Sequence, residues 1–214
     1  YIDIAEIQLG GSYRKYSLNS GGTIFTDADG PINYDEFGVY VQGQKKLMED
    51  RLKVTASMRY DKAQNFDGNI SPRVSFAYAM GEDKNHNFRA SVQTGFRNPT
   101  TQDQYIGLDA GSALLIGTAD ENLDRYISNP FDLSIGGTAR LTGRGAYNNS
   151  WTVSSLLQFL GAGGGAANLG ILQKSKVSLV KPEHVTALEL GYRGVIDGVT
   201  IDFNGYYNSY KDFI

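Results

Sequence analysis

Three features of this 214-residue sequence predict an all-β protein, and within that class an antiparallel transmembrane β-barrel segment. Apolar and polar residues alternate over stretches of strand length. The connections between those stretches alternate between short and long. Charged side chains fall in the middle of the polar faces. Together these imply about seven or more strands of a larger barrel, with one very long extracellular loop.

Taken in chain order, the opening stretch sets Ala5, Ile7, Leu9 and Tyr13 against Glu6, Gln8, Ser12 and Arg14, a loose alternation that starts directly at Tyr1. Residues 36–47 place Phe37, Val39, Val41 and Leu47 opposite Glu36, Tyr40, Gln42, Gln44 and Lys46. Residues 51–61 are cleaner, with Leu52, Val54, Ala56, Met58 and Tyr60 against Arg51, Lys53, Thr55, Ser57, Arg59 and Asp61. Successive side chains of a strand point to opposite faces, so each stretch predicts one apolar and one polar face. Residues 70–80 repeat the pattern: Ile70, Val74, Phe76, Tyr78 and Met80 oppose Ser71, Arg73, Ser75 and Ala77. In residues 88–98, Phe88, Ala90, Val92 and Phe96 oppose Arg89, Ser91, Gln93 and Arg97. Towards the end, Leu188, Leu190, Tyr192 and Ile196 face away from Glu189 and Arg193; Val199, Ile201, Phe203 and Tyr207 face away from Thr200, Asp202, Asn204 and Tyr206. Most stretches are close to the ~9–11 residues a tilted strand needs to cross a bilayer.

The connections carry equal information. Met48-Glu49-Asp50 and Asp197-Gly198 read as tight turns, and residues 81–87 are short and polar; Asp-Gly between alternating runs is a strong hairpin signal. Longer links are expected at residues 19–33, at residues 65–69 and above all at residues 99–183. Transmembrane barrels alternate short periplasmic turns with long extracellular loops in this way. The expected organisation is barrel strands and hairpins over 1–98, an extracellular loop over 99–183 and a barrel hairpin over 184–214. The long loop has room for one or two further strands, and residues 151–160 suit a short helix or strand.

Arg59, Arg73, Arg89, Glu189 and Arg193 lie mid-strand on polar faces. A small barrel packed with its own side chains holds such charges only at high cost, whereas a wide, wet lumen accommodates them. Seven strands do not enclose such a lumen and an open sheet exposes two edges, so the rest of the barrel is expected from elsewhere. The composition agrees: 14 Tyr, 10 Phe and 26 Gly against 5 Pro suit half-apolar strands. A formal net charge of −3 gives no basis for nucleic-acid binding. No apolar run reaches the ~18 residues of a membrane helix. Without cysteine there is no thiol nucleophile, disulfide or Cys-ligated zinc. No signal peptide opens the chain, so a leader has been removed or the chain is internal. With two histidines and no Gly-x-Ser-x-Gly, no nucleophile–base set can be assembled, and neither enzyme activity nor a cofactor is expected. The glycine-rich residues 161–166 lack the βαβ unit a dinucleotide fingerprint needs. Asp27-Ala28-Asp29-Gly30 lacks the later ligands of a calcium loop, so turn chemistry is the expectation there.

Three stretches resemble TonB-dependent outer-membrane receptors, specifically those of the Bacteroidetes lineage. The first runs from Glu36-Phe37-Gly38-Val39-Tyr40-Val41-Gln42 through Arg51-Leu52-Lys53-Val54 and Arg59-Tyr60-Asp61 to Ser71-Pro72-Arg73. The second is Gly95-Phe96-Arg97-Asn98-Pro99-Thr100. The third is Lys181-Pro182-Glu183-His184, followed by Leu188-Glu189-Leu190-Gly191-Tyr192-Arg193 and Asn208-Ser209-Tyr210. The resemblance covers most of the chain outside the long loop and implies the C-terminal portion of a barrel of about 22 strands. It further implies a plug domain absent from this sequence, energy supplied by TonB through a missing N-terminal box, and outer-membrane import of a siderophore, vitamin B12 or a glycan. A surface lipoprotein is a further possible partner. The rival function is a barrel that anchors or docks a surface complex. A barrel enzyme lacks its catalytic cluster here, and a soluble β-sandwich adhesin would pair two sheets through their apolar faces.

The candidate ligand- or plug-facing residues are Arg97, Asn98, Arg59, Arg73, Arg89, Arg193, Tyr147 and Trp151. Arg97 offers charge-assisted hydrogen bonds to an anionic ligand or to the plug. The weightier alternative is that its motif fixes the strand exit, with Pro99 stopping the ladder. For the other arginines, pairing with acids such as Asp61 and Glu189 similarly outweighs substrate contact. Tyr147 and Trp151 are placed to stack on a sugar or an aromatic siderophore, or to pack the loop against itself. Tyr60, Tyr78, Phe88 and Tyr192 are expected in interfacial aromatic girdles.

Overall fold

The computed structural model describes residues 5–111, 113–132 and 136–213; Tyr1 and Ile214 fall outside the described residues. In chain order the elements are β1 (Glu6–Leu18), β2 (Ile32–Leu47), β3 (Leu52–Ala63), β4 (Asn69–Met80), β5 (His86–Arg97), α1 (Thr101–Tyr105), β6 (Gly107–Asp109), β7 (Leu114–Ile116), α2 (Asp120–Arg125), β8 (Phe131–Asp132), β9 (Thr138–Ala139), α3 (Gly143–Asn148), α4 (Val153–Gly161), a 3-10 helix (Ala166–Ile171), β10 (Glu183–Ile196) and β11 (Val199–Lys211). They divide into two compact units. One comprises Tyr1–Ser17, Asn33–Asn98 and Lys181–Ile214, the other Leu18–Ile32 and Pro99–Val180.

The first unit is a seven-stranded sheet in the order β1-β2-β3-β4-β5-β10-β11. The chain leaves β5 for the long connection and returns with β10 paired antiparallel beside it, Glu183 opposite Arg97 and Tyr192 opposite Phe88. Register gathers the alternating residues into rows. Leu47, Leu52, Tyr78, Phe88, Tyr192 and Phe203 form one row on the apolar face; Gly43, Ala56, Val74, Val92, Leu188 and Tyr207 form another, four residues along each strand. Tyr78, Phe88 and Tyr192 therefore lie side by side next to the short turns, as a girdle requires. Tyr60 lies at the opposite strand ends, packed near Phe37 with ring centroids 6.1 Å apart. The apolar face stays open: Val39, Met58, Ile70, Val92 and Leu190 are all exposed.

The turns explain the register. Asp197 and Gly198 have φ of 49° and 80°, left-handed at both central positions, which is the twist that a two-residue hairpin matches. Met48, Glu49 and Asp50 all have φ between 55° and 64°, and the Arg51 amide donates to the Met48 carbonyl at 3.0 Å. Residues 64–68 make a connection no longer than residues 81–85 at the other end of the sheet. The expected long link there is thus short, and the asymmetry between the two ends rests on residues 19–31 and 98–182.

The second unit contains no barrel-length strand among its described residues. Thr100 caps α1 with a reciprocal Thr–Asp103 capping box, and Thr152 caps α4 through the Ser155 amide. Its core holds Tyr105, Leu123, Tyr126, Gln104 and Asn122. The Thr26 amide donates to the Tyr105 carbonyl at 3.2 Å, and the Gly107 amide to Ile24 at 2.8 Å. The link between β1 and β2 therefore folds as part of this unit. Gly117 is required here: a Cβ would lie 2.6 Å from the Gln104 backbone.

Candidate functional site on the polar face

On the polar face the register sets Lys46, Lys53, Ala77, Arg89, Gly191 and Asn204 in one row. Arg89 reaches from β5 past β10 to β11, where its Nη2 lies 3.5 Å from Asp202 Oδ1 and 3.2 Å from Asn204 Oδ1. It does so over Gly191, where a Cβ would sit 2.8 Å from Asn204 Oδ1 and 3.3 Å from Arg89 Nε. The glycine clears a path for the guanidinium.

Arg59 is held by its own strand and by β1: Nε donates to both oxygens of Asp61 at 2.8 and 2.7 Å, and Nη2 donates to Ser12 Oγ at 3.0 Å. Gly38, across from Asp61, again leaves the room, because a Cβ there would collide with both groups of the pair. Ser91 Oγ donates to Glu189 at 3.3 Å. Arg73 and Arg193 make no hydrogen bond or ion pair among the described residues. Arg73 instead borders a cavity of about 650 Å³ lined also by Lys53, Arg89, Glu189, Asn204 and Tyr206.

At the end of β5 the two motif residues diverge. Arg97 Nη2 meets Glu183 Oε2 at 2.8 Å, and Glu183 is buried. Asn98 Nδ2 donates to Glu36 Oε1 at 2.9 Å, which ties the end of β5 to β2. Glu36 also accepts from Tyr16 Oη at 3.3 Å and lies 3.7 Å from Arg14 Nη1, beside the stacked Tyr16–Tyr34 pair. Asn98 Oδ1 is buried with no hydrogen-bond partner among the described residues.

Tyr147 and Trp151 lie in the second unit. Tyr147 Oη donates to the Val177 carbonyl at 3.2 Å, and Lys174 Nζ stands 4.3 Å over the Trp151 ring. In the same unit the Asp27 carboxyl is buried, which pushes its pKa up. Donation from the Ser20 hydroxyl and the Ser20 and Gly22 amides outweighs burial and holds it below the ordinary value. Asp27 thereby closes the turn that precedes it. Hydrogen bonding from Arg144 likewise lowers Asp124, as one guanidinium bridges Asp120 and Asp124.

Sequence reasoning missed Glu36 as a hub, Glu183 as the partner of Arg97, and Asp202 as the partner of Arg89. Glu36 and Asp202 were legible as polar-face residues and Glu183 fell at the end of the expected loop, but no spacing rule joins residues on strands whose register is unknown. The glycines within alternating runs were the available signal, since they mark close approach of other atoms.

A family model described as TonB dependent receptor-like, beta-barrel, matches residues 4–214. Among solved structures, the chain is similar to the siderophore receptor PirA from Pseudomonas aeruginosa at 15% identity and a TM-score of 0.54, over 95% of this chain and 27% of that one. It is similar to PirA from Acinetobacter baumannii at 15% identity and a TM-score of 0.55, over 97% of this chain and 24% of that one. It is also similar to the ferric enterobactin receptor PfeA in complex with BCV-L6, at 16% identity and a TM-score of 0.52, over 96% and 24% of the two chains. No curated protein matches. The chain spans about a quarter of the length of these solved receptors, and at such identity the likeness concerns the fold. The family model extends over nearly the whole chain, and the chain belongs to the TonB-dependent receptor β-barrel family.

Proposed function

We propose that this chain is a wall segment of an outer-membrane importer that takes up a scarce nutrient, a siderophore, vitamin B12 or a glycan, with energy from TonB. The carrying observation is the division of one sheet into an exposed apolar face and a polar face bearing Arg59, Arg73, Arg89 and Arg193. The first face suits lipid and the second a plug-filled lumen. In this reading the complete receptor supplies the remaining strands, the plug and the TonB contact, and the second unit of this chain forms part of the ligand vestibule. The structures it resembles are named as siderophore receptors, so ferric siderophores are the first substrates to try. Uptake of labelled ferric siderophore, cobalamin or oligosaccharide is measured in source cells with and without the parent gene. Loss of uptake of one class supports import; unchanged uptake of all three defeats it.

A second reading, a barrel that docks a surface complex, draws on α4. Val153, Leu157 and Leu160 are exposed on that helix. Crosslinking from α4 to another surface protein, with uptake unchanged in the deletion, favours this reading.

A further inference from the structure

The apolar face changes character at the strand ends that carry the long connections. Register there pairs Tyr60 with Ile70, Phe96 with His184, and His184 with Lys211; Lys62 stands opposite Phe37 one step further out. All of these are apolar-face positions, so basic side chains stand among and just beyond the aromatic ones. On the strands from β2 onward, the short-turn half of that face carries Lys45 as its one lysine or arginine among described residues.

Two concavities meet at the basic end. One, of about 500 Å³, is bordered by Lys62, Lys181, His184, Asp67 and Asp212. The other, of about 320 Å³, is bordered by Phe96, His184 and Lys211. They share Asn69 and His184, whose Oδ1 and Nε2 are 2.8 Å apart. Lys62 Nζ donates to the Phe66 carbonyl at 2.6 Å, which fixes its stem without neutralising it. Lys181 is 3.9 Å from Asp212, and Lys211 has no hydrogen bond or ion pair among the described residues. Three lysines against two aspartates leave a net positive charge before His184 is counted.

We propose that these concavities seat the phosphorylated headgroup of an outer-leaflet lipid. The shared chemistry is a phosphate ester held by ammonium groups at the depth of an aromatic girdle, with lysine stems lying on apolar surface and heads at the interface. Continuity with the lipid-facing rows selects a lipid over a free anion. The site rests on the barrel reading but not on what the barrel imports.

The test uses the complete receptor, purified in detergent, with bound lipid read by native mass spectrometry. Diphosphorylated lipid A is expected to bind at least about fivefold more than its dephosphorylated form. The triple variant Lys62→Gln/His184→Gln/Lys211→Gln should lose that preference, and Lys45→Gln should keep it. Lys62→Arg/Lys211→Arg, which retains charge, should also keep it. Equal binding of the two lipids by the unaltered receptor, a comparison that needs no variant, overturns the proposal. So does displacement of the lipid by millimolar inorganic phosphate, which would make the site one for the free anion. Nutrient uptake is scored separately, so failure of the import reading leaves this result standing.

Discussion

The face assignment makes a quantitative prediction at Ala56. On β3, Ala56 lies four residues from Leu52 in the short-turn row and four from Tyr60 near the opposite girdle. At roughly 3.3 Å per residue that is about 13 Å along the strand in each direction, or about 10 Å in depth once a tilt near 40° is applied. Ala56 therefore sits close to the middle of an apolar band about 25 Å tall. An arginine placed there faces hydrocarbon, and Ala56→Arg should destabilise the barrel by about 2–4 kcal/mol, a loss of about 30-fold to nearly 1,000-fold in the folding constant.

Thr55, one residue earlier, faces the other way, opposite Gln44 and Ser75. Thr55→Arg adds charge to a wet face that already carries Lys53 and Arg73, so its cost should stay below about 1 kcal/mol. The assay is denaturant unfolding of the complete receptor in thin lipid vesicles, comparing both variants with the parent. A near-neutral Ala56→Arg, or a Thr55→Arg as costly as Ala56→Arg, would show that the apolar face does not meet lipid.

Other consequences follow from individual contacts. Gly191→Val fills the path of Arg89 and should cost about 1–3 kcal/mol; adding Arg89→Ala to it should cost little more, which a double-mutant cycle in the same unfolding assay reads. Phe88 and Tyr192 have ring centroids 4.9 Å apart, so their alanine cycle should return a coupling of about 0.5–1.5 kcal/mol. Asp27→Ala strands the Ser20 and Gly22 amides and should loosen the second unit by about 1–3 kcal/mol, seen as faster hydrogen exchange at those amides. Because the folded Asp27 pKa is depressed, its contribution is fully present above the unfolded value near ~4. It is lost as pH falls through the lower folded value, so the exchange rates of the unaltered protein and Asp27→Asn should begin to converge only as pH falls below about 4 and should meet below the folded value.

Legibility differed by level of structure. Period-two alternation marked the strands because each has one face for lipid and one for water, a pattern written residue by residue. Tyr78, Phe88 and Tyr192 could be assigned to a girdle because the Met48–Asp50 and Asp197-Gly198 turns mark the strand ends. The link at residues 64–68 was misjudged in length because Asn-Phe-Asp-Gly-Asn carries turn chemistry without saying where β3 ends. The participation of residues 18–32 in the second unit was invisible, since it depends on Thr26 meeting Tyr105 far along the chain. The site suffered most. Arg59 and Asp61, two apart on one strand, could be paired from sequence, whereas Arg89 and Asp202 required the registers of β5, β10 and β11 together.

The same sheet shows how three of its arginines are held. Arg59 and Arg89 are each met by a carboxylate and a neutral oxygen across a glycine, and Arg97 by a buried glutamate. These are arrangements that fix the strands to one another; among the described residues the Arg73 and Arg193 side chains have no such partner, and Arg73 borders the cavity on the polar face. The edges argue in the same direction. β1 and β11 flank the sheet, and each has one side on which no further strand is described. In hydrocarbon, an unpaired backbone donor or acceptor costs several kcal/mol. A row of them along either edge would exceed the net stability of an ordinary domain. A sheet with this apolar face is therefore stable in a membrane only when more strands join both edges, and its wide, charged inner rows require that closure to be a large barrel rather than a small one.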